Sequence, residues 1–215
     1  MQPSIYVVDD DKSVGRALCR VLGAHGRRAI QYESAEKFLA EADILGKCVC
    51  VIVDLLLPCM DGLALQAALG RDVPIIVLTG HPDVPSAVRA LAAGAVDFLV
   101  KPVDESVLLA AVDRAMSKAD EATRRRQELN ILRARLDRLT KREHEVMLLV
   151  AEGLMNKQVA NLLGTVEKTI KVHRARVMQK LEVDSLPALV RAVDRLNLDE
   201  TAQSPPPPLV KPAQP

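Results

Sequence analysis

The run from Val49 to Gly62 constrains this chain more than any other stretch, because apolar residues there lead directly into a carboxylate at Asp54. The five residues before Asp54 are apolar and rich in valine, a pattern typical of a strand buried on both faces. Pro58 and Asp61-Gly62 then favour a loop and a turn into a helix. The pattern predicts that Asp54 lies at the carboxyl end of a buried strand, where open α/β sheets bind ligands.

Three other short apolar runs also end in polar residues, namely Asp9 and Asp10, Thr79, and Lys101. Taken alone, Asp54 could be a turn residue or a helix cap. Parallel strands, however, bring their carboxyl ends to one edge of a sheet, so we expect three carboxylates, a hydroxyl and an amine to converge there. Three carboxylates form a candidate site for a hard cation such as Mg²⁺.

Strand and helix patterns alternate through the first half of the chain. Strands are predicted at 4–9, 28–32, 49–54, 73–78 and 96–100, and helices at 12–25, 34–43, 61–70, 83–94 and from 104 onward. This alternation favours an α/β fold with a doubly wound, flavodoxin-like parallel sheet in the order 2-1-3-4-5. No glycine-rich phosphate loop follows a strand, which disfavours a nucleotide site.

The residues at these strand ends resemble the receiver domain of two-component response regulators, over residues 4 to about 116. The resemblance implies that Asp54 is the nucleophile that accepts a phosphoryl group from a sensor histidine kinase. It implies Mg²⁺ as the cofactor, with Asp10, Asp54 and the Leu56 carbonyl as direct ligands and Asp9 acting mostly through metal-bound water. The chain itself is then not expected to be an enzyme.

The same resemblance assigns the phosphate contacts and the switch. Lys101 is expected to pair with a phosphoryl oxygen, and Thr79 to donate its hydroxyl to another oxygen once phosphate is present. Phe98 corresponds to the family's switch aromatic, although its place in the pattern also fits an ordinary core residue. The Lys101-Pro102 peptide is expected to be cis, as it usually is in this family.

Two other functions compete with this interpretation. The run Asp-Asp-Asp-Lys-Ser at 9–13 approximates the Asp-x-Asp-x-Thr nucleophile motif of haloacid dehalogenase-like phosphatases. That interpretation leaves Asp54 unused, and we predict instead that Asp11 caps the following helix. The second competitor is a phosphorylation-independent DNA-binding or scaffold protein with a degenerate receiver, which the complete set of strand-end residues disfavours.

Composition and cysteine usage indicate a cytoplasmic protein. None of the apolar runs approaches the length of a membrane span, and the N-terminus lacks the pattern of a secretion signal, so no membrane association is expected. The four cysteines have no Cys-x-x-Cys spacing, which fits reduced thiols. Cys19, Cys48 and Cys50 are predicted core residues, and Cys59 an inert loop thiol.

The fifth predicted helix continues beyond the receiver, because 105–138 contains neither Gly nor Pro. Leu129, Leu132, Leu136 and Leu139 follow one another at 3-4-3 spacing, which is a short heptad pattern. The segment is either a linker helix or a two-stranded contact between subunits. We favour a linker with some dimer contact.

A four-helix unit follows this linker. Thr140 and Glu143 have the spacing of a capping box, and the helix they begin ends at Gly153. Further helices are predicted at 156–163, 167–181 and 185–196. The segments LTKRE (139–143), GLMNK (153–157) and TIKVHR (169–174) resemble the LuxR-type helix-turn-helix DNA-binding domain.

Together the two halves resemble response regulators of the FixJ/NarL type. Within that family, the resemblance is strongest to the FixJ branch. The expected domains are a receiver (1–116), a linker helix (117–138), a LuxR-type domain (139–198) and a disordered Pro-rich tail (199–215). The resemblance implies a transcription regulator that dimerises on phosphorylation and acts with double-stranded promoter DNA and RNA polymerase, and it favours an activator over a repressor.

The second half is moderately basic, which permits nucleic-acid binding but does not demonstrate it. Residues 117–215 hold 18 Lys+Arg and 13 Asp+Glu, whereas residues 1–116 hold 11 and 15. Helix 167–181 is the predicted recognition helix, with Lys171 and Val172 facing bases and Arg174 and Arg176 contacting phosphates. The full predicted set is Lys171, Val172, His173, Arg174, Ala175 and Arg176. A four-helix interaction module without DNA binding is the alternative.

Overall fold

The computed structural model describes residues 4–42, 49–70 and 72–203, and these form five strands and nine helices. The first elements are β1 (Ser4–Val8), α1 (Lys12–Ala24), β2 (Ala29–Tyr32), α2 (Ala35–Glu41), β3 (Val49–Asp54), α3 (Gly62–Leu69), β4 (Ile75–Thr79), α4 (Val84–Ala92) and β5 (Asp97–Val100). The remaining elements are α5 (Glu105–Leu136), α6 (Lys141–Ala151), α7 (Asn156–Leu162), α8 (Glu167–Leu181) and α9 (Leu186–Gln203). Cys48 lies outside the described residues.

The five strands form one parallel sheet in the order β2-β1-β3-β4-β5, which confirms the predicted topology. Every residue of β3 is buried, as its uninterrupted apolar run predicts. Val53 is paired with Val8 on one side and with Val77 on the other. The carboxyl ends of β1, β3 and β4 are therefore level with one another at one edge of the sheet.

Helices cover both faces of this sheet. On one face, Leu22 of α1 and Leu108 of α5 pack against the sheet, and on the other face Phe38 of α2 and Leu65 of α3 do so. All four side chains are almost completely buried. The sheet is thus held rigidly between two apolar layers, and its carboxyl edge carries the polar residues.

The chain divides into two compact units between Arg126 and Gln127, within α5. In the second unit, Leu129 is buried, and Leu136 and Leu139 pack against the core formed by α6 to α9. The heptad-spaced leucines are therefore used inside the chain, which favours the linker interpretation over a two-stranded contact between subunits.

The second unit begins with the predicted capping box. Thr140 Oγ1 accepts from the Glu143 amide at 3.3 Å, and Glu143 Oε2 accepts from the Thr140 amide at 2.8 Å. The last helix differs from the prediction, because α9 continues past 196 to Gln203 and includes the first residues of the predicted disordered tail. Residues 197–203 contain neither Gly nor Pro, so nothing in that stretch stops a helix before Pro205.

Candidate functional site

Three carboxylates meet at the carboxyl edge of the sheet. Asp9 and Asp10 follow β1, Asp54 ends β3, and one ligand oxygen from each lies within 4.8 Å of the others. Asp9 is fully buried and Asp54 nearly so, whereas Asp10 is exposed. Such a cluster of oxygen ligands, open to solvent on one side, has the donor chemistry that Mg²⁺ requires.

Lys101, at the end of β5, bridges the two buried carboxylates. Its Nζ lies 2.6 Å from Asp9 Oδ2 and 2.7 Å from Asp54 Oδ2. Burial raises the pKa of the Asp9 carboxyl, and the hydrogen bond from Lys101 offsets that rise only in part. Burial works to lower the pKa of Lys101, but its hydrogen bonds to Asp54 and Asp9 outweigh that effect and raise the pKa. The amine is therefore a permanent positive charge beside both carboxylates.

The backbone also orients Asp54. The Leu56 amide donates to Asp54 Oδ1 at 3.1 Å, and the Leu56 side chain is exposed. Gly62 then passes so close to this loop that a Cβ atom on it would lie 2.6 Å from the Asp54 carbonyl oxygen. The sequence indicated only a turn at Asp61-Gly62. The structure shows in addition that residue 62 must lack a side chain, because its backbone passes next to Asp54.

The two predicted switch residues lie on the neighbouring strands. Thr79, at the end of β4, is fully buried, and its hydroxyl donates to the His81 carbonyl at 3.2 Å and accepts from the His81 amide at 3.1 Å. Phe98 in β5 is half-buried and packs against the core on the α2 to α4 face. The Lys101-Pro102 peptide is cis, as expected.

Asp11 belongs to helix α1 rather than to the carboxylate cluster. Its Oδ1 accepts from the Ser13 amide at 2.7 Å and from the Val14 amide at 3.3 Å, which confirms the predicted N-cap. A phosphatase motif would need this carboxylate free for catalysis. The geometry therefore disfavours the phosphatase alternative.

Helix α8 carries the predicted DNA contacts. Its N-cap, Val166, makes no side-chain hydrogen bond, as its apolar side chain predicts. The predicted contacts are mostly open to solvent: Lys171, Val172, Ala175 and Arg176 are exposed, and His173 and Arg174 half-buried. Two of them are held by neighbouring side chains, since Lys171 pairs with Glu167 at 3.1 Å and Arg174 Nη1 donates to Asn156 Oδ1 at 3.3 Å.

Comparison with known proteins finds the same two parts. Residues 5–113 match the family described as response regulator receiver domain, and residues 137–193 match bacterial regulatory proteins of the luxR family. The response regulator protein TmoT of Ectopseudomonas mendocina is 41% identical, over 89% of this chain and 88% of that protein. The chain belongs to the response regulators with a LuxR-type DNA-binding domain. The transcriptional regulatory protein FixJ of Rhizobium meliloti is likewise 41% identical, over 87% of this chain and 93% of that protein.

Solved structures of full-length response regulators support the same assignment. The response regulator StyR is 38% identical, and its structure matches with a TM-score of 0.75 over 91% of this chain and all of that one. Full-length FixJ from B. japonicum matches with a TM-score of 0.53 at 36% identity, over 91% of this chain and 97% of that one. This regulator is therefore a transcription regulator whose receiver domain implies a histidine kinase partner and whose second domain implies DNA binding.

Sequence reasoning missed the charged contact between Lys180 and Glu143 in this regulator. Lys180 Nζ lies 2.6 Å from Glu143 Oε2 and joins the end of α8 to the start of α6. That hydrogen bond, followed by the one from the Thr140 amide, lowers the pKa of Glu143 to about 2. The capping-box spacing located Glu143, but no local pattern pairs it with a lysine 37 residues away.

Among the described helices, none is both long and apolar enough to cross a membrane.

Proposed function

We propose that phosphoryl transfer to Asp54 controls DNA binding by α8 and so regulates transcription. The proposed location of the protein is the cytoplasm. The observation that carries this proposal is the contact of Lys101 with Asp54, 2.7 Å apart, beside Asp9 and Asp10. A nearly buried carboxylate next to a fixed ammonium group can act as a nucleophile, because the amine offsets the negative charge that the phosphoryl group brings.

In the proposed reaction, an Asp54 carboxylate oxygen attacks the phosphorus of a phosphohistidine on a sensor histidine kinase. The phosphorus–nitrogen bond breaks, the imidazole leaves, and an acyl phosphate remains on Asp54. Asp10, Asp54 and the Leu56 carbonyl would hold Mg²⁺ directly, with Asp9 acting through water, and the ion would supply charge neutralisation for the phosphoryl oxygens. Lys101 would stay in the site and pair with one of the phosphoryl oxygens.

In the proposed switch, the Thr79 hydroxyl exchanges its hydrogen bonds to the His81 backbone for a new partner. Phosphorylation adds about two negative charges near Thr79. The Thr79 hydroxyl then leaves the His81 backbone and donates to a phosphoryl oxygen, and Phe98 turns inward into the space that Thr79 vacates.

This movement reshapes the face formed by α4, β5 and α5. Val84, Val88 and Leu91 form an exposed apolar stripe on α4, since their spacing places them on one side of the helix. The proposed face also includes Arg89, Ala92, Asp97, Lys101 and Glu105, whereas Leu108 is buried against the sheet and lies outside this face. Two phosphorylated subunits would pair through it with two-fold symmetry, which brings two copies of α8 to one promoter and to RNA polymerase.

The proposed domains are a receiver over 1–116, a linker helix over 117–138, and a LuxR-type domain from 139 that includes α9. Within it, Lys171 and Val172 contact bases, and Arg174 and Arg176 contact phosphates, with His173 and Ala175 beside them. The high exposure of this face of α8 supports the proposal, since groove contacts need accessible side chains.

Mass spectrometry of the intact protein tests the chemistry. With Mg²⁺ and acetyl phosphate, the parent protein should gain the mass of one phosphoryl group, and hydroxylamine should remove it, because hydroxylamine cleaves acyl phosphates. Asp54→Asn should gain none. An unchanged yield in Asp54→Asn would place the phosphoryl group on another residue and would contradict the proposal.

A further inference from the structure

Helix α8 ends in a backbone conformation that glutamate rarely adopts. Glu182, the residue after Leu181, has φ 55° and ψ 46°, in the left-handed region. Glycine or asparagine usually takes this place at the end of a helix, because a larger side chain is strained there. Among the described residues, Cys59 is the only other non-glycine with a positive φ. Local preference therefore does not explain a glutamate at this position.

A guanidinium group from α5 holds both the end of α8 and the Glu182 side chain. Arg135 Nη1 donates to the Leu181 carbonyl at 3.3 Å, and Arg135 Nη2 pairs with Glu182 Oε2. Arg138 Nη1 lies 3.9 Å from Glu182 Oε1. The last carbonyls of a helix lack partners within the helix and carry the negative end of its dipole. Arg135 therefore anchors the end of α8 at two adjacent points.

Stability alone is a poor explanation for this arrangement. The Glu182 and Arg135 side chains are 55% and 28% exposed, and water screens ion pairs at such exposure. Lys180 already fastens the last turn of α8, since its Nζ lies 2.6 Å from Glu143 Oε2 and donates to the Arg138 carbonyl at 3.0 Å. What the Arg135–Glu182 pair adds is a fixed direction for the end of the helix.

We propose that Arg135 and Glu182 form a positioning pair that sets the angle at which α8 enters the major groove. This inference rests on the proposed function, since it takes Lys171 and Val172 on α8 as the residues that contact bases. Contacts to base edges depend on close registry, whereas phosphate contacts carry no sequence information. Loss of the pair therefore reduces discrimination between DNA sequences.

Two substitutions remove the pair in different ways. Glu182→Gly keeps a residue that accepts the left-handed backbone and removes the carboxylate. Arg135→Met keeps an unbranched side chain and removes both hydrogen bonds. Each variant, the double variant and the parent are titrated, as full-length phosphorylated protein, against a duplex selected by the parent from a randomised pool and against the same duplex with the selected bases scrambled.

The measured quantity is the ratio of affinities for the selected and scrambled duplexes. We expect this ratio to fall about tenfold in each single variant, the size of a typical single base-pair mismatch. The double variant should fall no further than either single one, because both remove the same contact. The result would differ if Glu182 and Arg135 affected DNA binding only through their charges. Loss of Glu182 would then strengthen binding to any DNA, loss of Arg135 would weaken it, and the ratio of affinities would stay unchanged.

A matched control and a test of the premise complete the experiment. Arg195→Met removes another exposed ion pair to α5, since Arg195 Nη1 lies 3.5 Å from Glu128 Oε2, and it should leave the ratio unchanged. The thermal midpoint of Glu182→Gly should equal or exceed that of the parent. An unchanged ratio in both single variants, with Lys171→Ala lowering it, would overturn the positioning pair alone. If Lys171→Ala also leaves the ratio unchanged and Arg176→Ala binds like the parent, α8 is not the recognition helix and both proposals are wrong.

Discussion

Lys101 Nζ lies 2.7 Å from Asp54 Oδ2, so the amine already occupies the place beside the carboxylate where incoming negative charge would need to be neutralised. The same nitrogen lies 2.6 Å from Asp9 Oδ2. The Lys101 side chain, which immediately follows β5, thereby connects the ends of three strands. The two functions of this contact, holding the edge of the sheet together and neutralising charge, can be separated by experiment.

Lys101→Met should destabilise the receiver by about 1–3 kcal/mol without Mg²⁺, because it leaves two carboxylates close together without a positive charge. Added Mg²⁺ should stabilise this variant more than the parent, since the amine no longer competes with the ion for the same oxygens. Thermal unfolding with and without Mg²⁺ measures both effects. Lys12→Met, which removes an exposed pair with Glu33, is the control and should behave like the parent. Equal Mg²⁺ effects in the parent and Lys101→Met would contradict this account.

Gly62→Ala should slow phosphorylation from acetyl phosphate, because the added Cβ would lie 2.6 Å from the Asp54 carbonyl and 3.1 Å from the Leu55 Cα. Backbone atoms cannot move aside as a side chain can, so the loop that carries Asp54 must shift, at a cost of about 1–3 kcal/mol. Gly23→Ala in α1 is the matched control, since nothing lies within 4 Å of its Cβ position. That substitution should leave phosphorylation unchanged and stabilise the helix by about 0.5–1 kcal/mol. If both variants phosphorylate at the parent's rate, the steric role of Gly62 is wrong.

The C-terminal unit should lose stability in acid through Glu143. The pKa of Glu143 is lowered from 4.5 to about 2, chiefly by the hydrogen bond from Lys180. A carboxyl group with a depressed pKa stabilises the fold above pH 4.5, and this contribution disappears as the pH falls from about 4.5 through about 2. Glu143→Gln should therefore cost about 2 kcal/mol at neutral pH and progressively less below pH 4.5.

Thermal unfolding of the parent and Glu143→Gln across this pH range measures the difference. Glu145→Gln is the matched control on the same helix, because its pair with Arg142 is half-exposed and should contribute little. A stability difference that stays constant between neutral pH and pH 3 would show that the ionised form of Glu143 has no special role.

Sequence patterns predicted the sheet order and the convergence of residues at the strand ends, because both follow from short periodic signals with well-defined topology rules. Asp54 and Lys101 lie 47 residues apart, yet each marks the end of a recognisable strand, so their convergence could be predicted, although their direct contact was not. The Lys180–Glu143 contact could not, since it depends on how two helices pack. The extent of α9 was also missed, because prediction stopped it at the end of its apolar periodicity while no helix breaker precedes Pro205.

Lys171 and Arg176 should affect DNA binding differently. Lys171→Ala should cost about 1–3 kcal/mol mainly on the selected duplex, because the amine can donate to a guanine edge. Arg176→Ala should weaken binding to all duplexes alike and lower the salt dependence by about one unit, as expected for a lost phosphate contact. Binding titrations at several salt concentrations separate the two effects, with Lys12→Ala in the receiver as the control. Parent-like binding by both variants would exclude α8 as the recognition helix.

The most direct test of the central claim is the affinity of the full-length protein for its selected duplex, measured with and without acetyl phosphate and Mg²⁺. If phosphorylation of Asp54 controls DNA binding, the parent should bind much more tightly after phosphorylation, and sedimentation of the same samples should show monomer becoming dimer. Asp54→Asn should remain at the unphosphorylated affinity under both conditions. An equal gain in affinity in Asp54→Asn, or no gain in a fully phosphorylated parent, would contradict the claim.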